Sequence, residues 1–356
     1  MNKKRLLLSL IASVTIQSGF VHAMPVITGQ PNEVQPQLLN WKRDFNPSTP
    51  DLTEPTSNRI YDLHSHIKEC DIVLSTSGNY HMVLGEYWYD FFLPNNPDIK
   101  NWIYTTSPPI SVDHSTNSEL SIGNWKTNCK PSIMVGPKKI MAMLKNGGLI
   151  SGEPIPVIQN QGNVLLVKKG NPKNINNIYD LARKDVRVVT SNPYTEPGSF
   201  GNYSSSIYNI ANFNQHLSPQ RKLTADKLFN LIFGNRTNKG NKGKWVSGKR
   251  IHHREVPWAI AYNKADVGPM FYHLAKYAKE SFPDQFDIVP LGGTVENPSP
   301  LDGNKIGTLF IARASGTWTD KQLELREKVV QGFLSDDFTQ LLEAKGLKRP
   351  IVVSTE

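Results

Sequence analysis

Between Tyr80 and Phe91 the apolar positions recur at intervals of three and four: Tyr80, Val83, Leu84, Tyr87, Trp88 and Phe91. They form one stripe along a helix. The helix is preceded by the short apolar run Asp71 to Leu74, which reads as a buried parallel strand, and by the polar turn Ser75-Thr76-Ser77-Gly78-Asn79. A strand entering a helix through such a turn aims the turn's backbone N–H groups and the positive helix end at one point. That point lies at the carboxyl edge of a parallel sheet and suits an anion. The same residues also serve as an ordinary N-cap and tight turn.

The pattern then repeats. Lys100 to Ser107 is a second strand ending in the hydroxyls Thr105, Thr106 and Ser107, and Pro108-Pro109 stops it. After an irregular polar segment, Pro131 to Gly136 gives a third strand, with Pro137 as the first residue of a helix over Lys139 to Leu144. Asn163 to Lys168 and Val186 to Thr190 are further strands, with a short helix at Ile178 to Ala182 between them. The Gly/Pro loop Ser191 to Gly201 leads into a helix over Asn202 to Ala211, a second strand, polar loop and helix unit. A helix over Glu255 to Asn263, strands at Ala265 to Tyr272, Asp287 to Pro290 and Ile306 to Ala312, and helices at Asp320 to Leu334 and Asp337 to Ala344 complete the chain. Strands alternating with helices indicate an α/β architecture with parallel sheets.

The N-terminus changes the compartment. Residues 1–23 have the layout of a secretory signal: Lys3, Lys4 and Arg5, an apolar stretch from Leu6, and Val21-His22-Ala23 as the cleavage site. Its loss takes the formal charge from +9 to +6. Much of the remaining positive charge lies between Arg236 and Arg254, overlapping a basic insertion at 234–250 whose Gly and Asn content reads as a solvated loop, so nucleic acid is not expected as a partner. Residues 24–68 lack a sustained period and read as an extended arm or linker. Export permits a disulfide, and Cys70 and Cys129 each stand just before a strand. If those strands are neighbours, the sulfurs start side by side, so a Cys70–Cys129 bridge is expected.

Covalent chemistry finds little support. His64-Ser65-His66 has the spacing that opens many metal-dependent hydrolases, but such a pair needs further ligands and a barrel strand. No series of eight strand and helix units is visible. His252, His253 and Glu255 likewise lack a clear third partner and read as an exposed helix lead-in.

The order of the pieces resembles the type II periplasmic solute-binding proteins of ABC transporters, and most closely the molybdate-binding branch. The segments that carry the resemblance are Pro131 to Met141, Val164 to Pro172, Val186 to Pro193 with Glu196-Pro197-Gly198, and Arg254 to Ala261 with Ala265 to Gly268. It implies a two-lobed α/β protein with a ligand cleft between the lobes, lobe I being 69–158 and 307–356 and lobe II 159–306. In such proteins the lobes close over an oxyanion like a hinged clam. Carried over by position, the first hydroxyl ligand is Ser77, between Thr76 and Gly78, and the second is Thr106 or Ser107. The backbone contacts of lobe II fall at Gly198 and Ser199 and at Val256. The family's tyrosine falls on Phe271, and a slip of one residue to Tyr272 restores its hydroxyl. The implied partners are a small oxyanion and an ABC permease in the inner membrane, for a periplasmic monomer that is not an enzyme and needs no cofactor or metal.

The residues themselves favour a ligand that only accepts hydrogen bonds. Neither Ser75 to Asn79 nor Thr105 to Ser107 contains a carboxylate, which suits molybdate, tungstate or sulfate rather than hydrogen phosphate, although Glu196 or Glu255 could come close on folding. Two other functions stay open at this level: an exported hydrolase using His64 and His66, and a binding or scaffold protein that uses the same fold without transport.

Overall fold

The computed structural model describes residues 24–25, 27, 29–33, 62–65, 70–76, 80–107, 120–122, 125–127, 130–218, 223–234, 244–248 and 252–351. In chain order the first elements are β1 (Asn32–Glu33), β2 (Asp62–Ser65), β3 (Ile72–Thr76), α1 (His81–Glu86), β4 (Trp102–Ser107), β5 (Leu120–Ile122) and β6 (Trp125–Thr127). Then follow β7 (Ile133–Pro137), α2 (Lys138–Asn146), β8 (Ile150–Gln159), β9 (Asn163–Lys168), β10 (Val188–Thr190), α3 (Pro197–Phe213) and α4 (Ala225–Phe233). The remainder is β11 (Trp245–Ser247), α5 (His252–Ala261), β12 (Val267–Phe271), α6 (Tyr272–Ser281), β13 (Phe286–Val289), β14 (Thr308–Ala314), α7 (Asp320–Leu334) and α8 (Asp336–Ala344).

Two mixed six-stranded sheets organise these elements, one per lobe. Lobe I has the order β2-β4-β3-β7-β14-β8, and lobe II the order β1-β11-β10-β12-β9-β13. In lobe I, β4, β3 and β7 are parallel, so Thr76 and Ser107 both stand at a carboxyl edge. In lobe II, β1, β11, β10 and β12 are parallel and place Glu33, Ser247, Thr190 and Phe271 at the corresponding edge. Each sheet is covered on its faces by helices, which is why the central strands are apolar throughout: Ile72 to Leu74 and Val164 to Val167 are all buried.

The core of lobe I is aromatic. Trp88 meets Trp102 at 4.8 Å and Phe333 at 5.1 Å between ring centroids, and Phe333 meets Phe338 at 5.1 Å. Lobe II buries Phe200, Phe229, Phe233 and Trp245 on one face of its sheet and Val256, Trp258, Met270 and Phe286 on the other.

Several expectations are revised. The apolar stripe runs as expected through Trp88, but Phe91 is 48% exposed while Phe92 is buried. The cause is a π-helical turn over Tyr87–Phe92, whose wider pitch advances the inward position by one residue. The 24–68 arm supplies an edge strand to each sheet: β1 pairs with β11, and β2 pairs antiparallel with β4. Met24 and Ile27 pack on the lobe II core, and the Gly29 N–H bonds the Phe233 carbonyl at 3.1 Å. Part of the basic insertion is also interior rather than solvated. Lys244 and Trp245 to Ser247 are buried, because β11 fills the place between β1 and β10. Residues 235–243 and 249–251 of that stretch lie outside the described residues, as do the signal at 1–23, His66 and Cys129. No cysteine among the described residues is free.

Candidate functional site

Both lobes present their carboxyl edges to one another, and one contact ties the edges together. Tyr80 begins α1, four residues after the end of β3, and His273 lies two residues after the end of β12. Their rings stack at 5.0 Å with an interplanar angle of 12°. Met82, also from lobe I, packs into the lobe II cluster with Val246, Val256 and Met270. The cleft is thus bounded by the start of α1, at Tyr80 and Met82, on one side and by the ends of β10, β11 and β12 on the other.

On the lobe I edge, Thr76 is buried and its Oγ1 has no hydrogen-bond partner among the described residues. The pairing of Ser75 with Thr105 sets Thr106 beside Thr76, and Ser107 ends β4 one residue further on. The two hydroxyl-bearing segments therefore converge on one edge. Ser77 and Gly78 lie outside the described residues, and Thr106 and Ser107 are placed by their strand backbone alone.

The lobe II edge is polar and buried. Thr190 accepts from the Trp245 indole at 2.8 Å and donates to the Ser191 carbonyl at 2.9 Å. Asn192 accepts from the N–H of Tyr194 at 2.9 Å, shaping the turn that leads into α3. Ser247, paired with Thr190 in register, is fully buried and its Oγ has no partner. Asn163 opposes Phe271 and so stands at the same edge. Its amide donates to Asn202 Oδ1 at 3.1 Å and Ser206 Oγ at 2.6 Å, whereas its Oδ1 is buried without a partner. Gly198 and Ser199 form the first turn of α3, and an added Cβ at Gly198 would meet nothing within 4 Å. Open space at a helix start leaves its N–H groups accessible to an anion.

The remaining expected site residues sit deeper. Val256 is buried in α5, with its Cγ1 only 2.4 Å from where a Cβ on Gly268 would stand. The Tyr272 hydroxyl donates to the Val295 carbonyl at 2.7 Å, an arrangement internal to lobe II. Two features escaped the sequence reading. One is Asn163, which looked like the first residue of an ordinary strand. The other is Tyr80, read only as part of an apolar stripe. Glu255, named from the sequence as a carboxylate that could come close on folding, is buried at the first turn of α5 with its carboxylate against the α-carbon of Gly248, one residue past β11.

The hinge lies behind this edge. The chain crosses between lobes at Asn160, between β8 and β9, and again at Gly307, just before β14. The Tyr80 phenol is buried at the cleft, which pushes its pKa up to about 12. His64 lies on β2, an edge strand opposite Tyr104, rather than on a barrel strand, and no group of three or more metal-ligating side chains occurs among the described residues.

Residues 124–304, just over half of the chain, match the profile of a bacterial extracellular solute-binding protein family. Among solved structures, the sulfate-binding protein SubI from Mycobacterium tuberculosis H37Rv is similar, with a TM-score of 0.50 and 14% identity over 79% of this chain and 87% of that one. AgtB of A. tumefaciens R10, a periplasmic binding protein solved with agropinic acid, gives 0.51 and 11% identity over 80% and 84%. Peb3 from Campylobacter jejuni gives 0.47 and 13% over 78% and 99%. No curated protein matches the chain.

Proposed function

Since the chain belongs to the bacterial extracellular solute-binding proteins, we propose that it captures a small oxyanion between its two lobes and delivers it to an ABC permease in the inner membrane. The observation that carries this reading is the set of buried polar atoms at the facing edges. Thr76 Oγ1 and Ser247 Oγ are both without partners among the described residues. A buried hydroxyl with nothing to bond costs stability, and a ligand that supplies the bond removes that cost. The start of α3 at Gly198 and Ser199 adds N–H donors and a positive helix end. Ser77, Gly78, Thr106 and Ser107 complete the donor set in this reading, with Val256 contributing its backbone. Molybdate, tungstate and sulfate are the ligands that such a set of donors accommodates, and SubI binds sulfate. Capture and release need no covalent step. The protein would act after export, as a periplasmic monomer.

A second reading rests on acceptors. Asn163 Oδ1 and the buried Glu255 carboxylate stand at the lobe II edge, and neither can bond a fully ionised tetrahedral anion. They favour an anion that still carries a proton, such as hydrogen phosphate or a phosphate monoester. Tyr272 does not discriminate between the two readings, because its one O–H is already given to Val295.

Thermal unfolding of the mature protein with molybdate, tungstate, sulfate, phosphate and a simple phosphate monoester separates the two. A ligand at about 100-fold over its Kd stabilises by roughly 2.7 kcal/mol, a shift of a few degrees at this size. Stabilisation by the fully ionised anions supports the first reading. Stabilisation by phosphate alone, lost in Glu255→Gln, supports the second. Silence from all of them overturns oxyanion capture.

A further inference from the structure

We propose that Ser206 is a positioning residue that holds α3, the helix whose first turn faces the cleft, to both segments that cross between the lobes, so that closure brings that turn to a fixed place opposite lobe I; this rests on the capture reading above. Ser206 stands in the middle of α3 and is 1% exposed. Its Oγ accepts twice, from the Asn163 amide at 2.6 Å and from the backbone N–H of Lys305 at 3.0 Å. Asn163 opens β9 just after the first crossing at Asn160, and Lys305 stands just before the second at Gly307. One oxygen therefore joins both crossings to one helix.

The sequence of α3 suits this docking along its length. Ser199, Asn202, Ser206 and Asn209 recur at intervals of three and four and share one face. Asn202 Oδ1 takes the second bond of the Asn163 amide at 3.1 Å. Gly303 has φ +87°, and an added Cβ there would stand 2.5 Å from the Asn209 carbonyl carbon, so the loop before the second crossing meets the helix backbone directly. At the far end of α3 the Asn214 amide donates to the Asp302 carbonyl at 2.8 Å. The crossings are also tied to each other: the Asn163 N–H donates to Asn304 Oδ1 at 2.8 Å, and the Asn304 amide returns to the Asn163 carbonyl at 2.9 Å.

Apolar side chains would bury this face of α3 as well, but they pack in more than one register. Buried hydrogen bonds are directional and costly to leave unmade, so they admit one. The first turn of α3, at Gly198 and Ser199, lies two turns before Ser206, and slippage of the helix against the crossings would carry its N–H groups away from the lobe I edge. Only molecules with both sets of donors in place can grip an anion, so loss of the tie lowers apparent affinity by lowering that fraction. One buried hydrogen bond corresponds to a change of about ten-fold.

The test compares the mature wild type with Ser206→Ala, Ser206→Thr and Asn214→Ala. Asn214→Ala frees α3 from the second crossing alone and at the end far from the cleft, so it controls for lost stability. Amide hydrogen exchange without ligand reads Lys305 and Phe200, whose N–H closes the first turn of α3 on the Glu196 carbonyl. Calorimetric titration with molybdate, sulfate and phosphate reads affinity. In Ser206→Ala both amides are expected to exchange about ten-fold faster, and whichever anion binds should do so about ten-fold more weakly. Ser206→Thr, which keeps the oxygen, and Asn214→Ala should both keep affinity near wild type. The proposal is overturned if Ser206→Ala binds like wild type, if Asn214→Ala loses as much affinity, or if Phe200 exchanges at the wild-type rate in Ser206→Ala. Should Ser206→Ala not fold, Asn202→Ala, which loosens the same Asn163 amide from α3, decides by the same readings. If no anion binds the wild type, the capture reading fails, and the exchange rates of Lys305 and Phe200 still decide whether Ser206 holds the first turn of α3.

Discussion

Asn160 and Gly307 clasp each other across the hinge: the Asn160 N–H donates to the Gly307 carbonyl at 3.0 Å, and the Gly307 N–H returns to Asn160 Oδ1 at 3.1 Å. An added Cβ on Gly307 would lie 2.9 Å from the Asn160 amide nitrogen, so the glycine also makes room for the side chain that binds it. Asn160→Ala leaves the N–H groups of Gly162 and Gly307 without their acceptor in a buried setting. The expected loss is about 1–3 kcal/mol of unfolding free energy, read from denaturant titration. A loss under a few tenths would mean that water replaces the side chain without cost.

Thr76 and Ser247 carry the opposite expectation. Because Thr76 Oγ1 and Ser247 Oγ have no hydrogen-bond partner among the described residues, Thr76→Val and Ser247→Ala should leave the melting temperature unchanged or raise it. Affinity for the captured anion should fall about ten-fold for each, by calorimetric titration, as expected for one lost bond to a charged group. A variant that loses stability and keeps affinity would place that hydroxyl outside the site.

Lys244 links stability to pH. Its ammonium donates to the carbonyls of Arg183 and Val186, and burial lowers its pKa from the ordinary 10.5 to about 8. Between those values the unfolded chain holds a proton that the folded chain has released, so stability rises with pH across that window. Below about pH 8 the folded group is charged too, and its contribution is lowest and constant. Wild type should therefore gain on Lys244→Met as pH is raised from 7 to 10, in denaturant titrations at matched ionic strength. A constant difference would show that the ammonium keeps its ordinary pKa.

The Cys70–Cys129 bridge has a chemical test. Thiol titration of the unfolded, unreduced mature protein should find no free thiol, and reduction should lower stability by about 4 kcal/mol for a loop of this length. Two reactive thiols would exclude the pairing.

Much of the architecture can be read from apolar runs. Asn163 to Lys168 and Asp320 to Leu334 stand where the pattern puts them, since one is apolar in a buried central strand and the other keeps a clean helical period. Phe92 escaped because a π turn changes the period within a helix, and no composition signal marks that change. β11 escaped because Trp245-Val246-Ser247 is three residues long and lies in a basic, glycine-rich stretch. α4 was hidden for a similar reason, its period masked by the loop around it. Hydroxyl-rich strand ends such as Thr76 and Thr106 were legible as candidates, because they follow directly from the strand, turn and helix order. Asn163 and Tyr80 were not: their placement depends on which strands become neighbours and on how one lobe meets the other, and neither is written in local spacing.

The pairing of Asn32 with Val246 has a consequence for the life of the chain before it binds anything. β11 is complete only when a segment near the N-terminus lies along it. A proteolytically trimmed chain lacking residues 32–33 would present a short, buried-type strand, Trp245-Val246-Ser247, with one row of backbone N–H and C=O groups open to any passing β-segment. Clipping ahead of β1 is safer than clipping between the two arm strands, since β1 then stays joined to the chain and both edges keep their covers. Residues 32–33 thus act as a guard against misassembly, and their docking is among the last contacts that folding can make, because it joins positions so far apart in the chain.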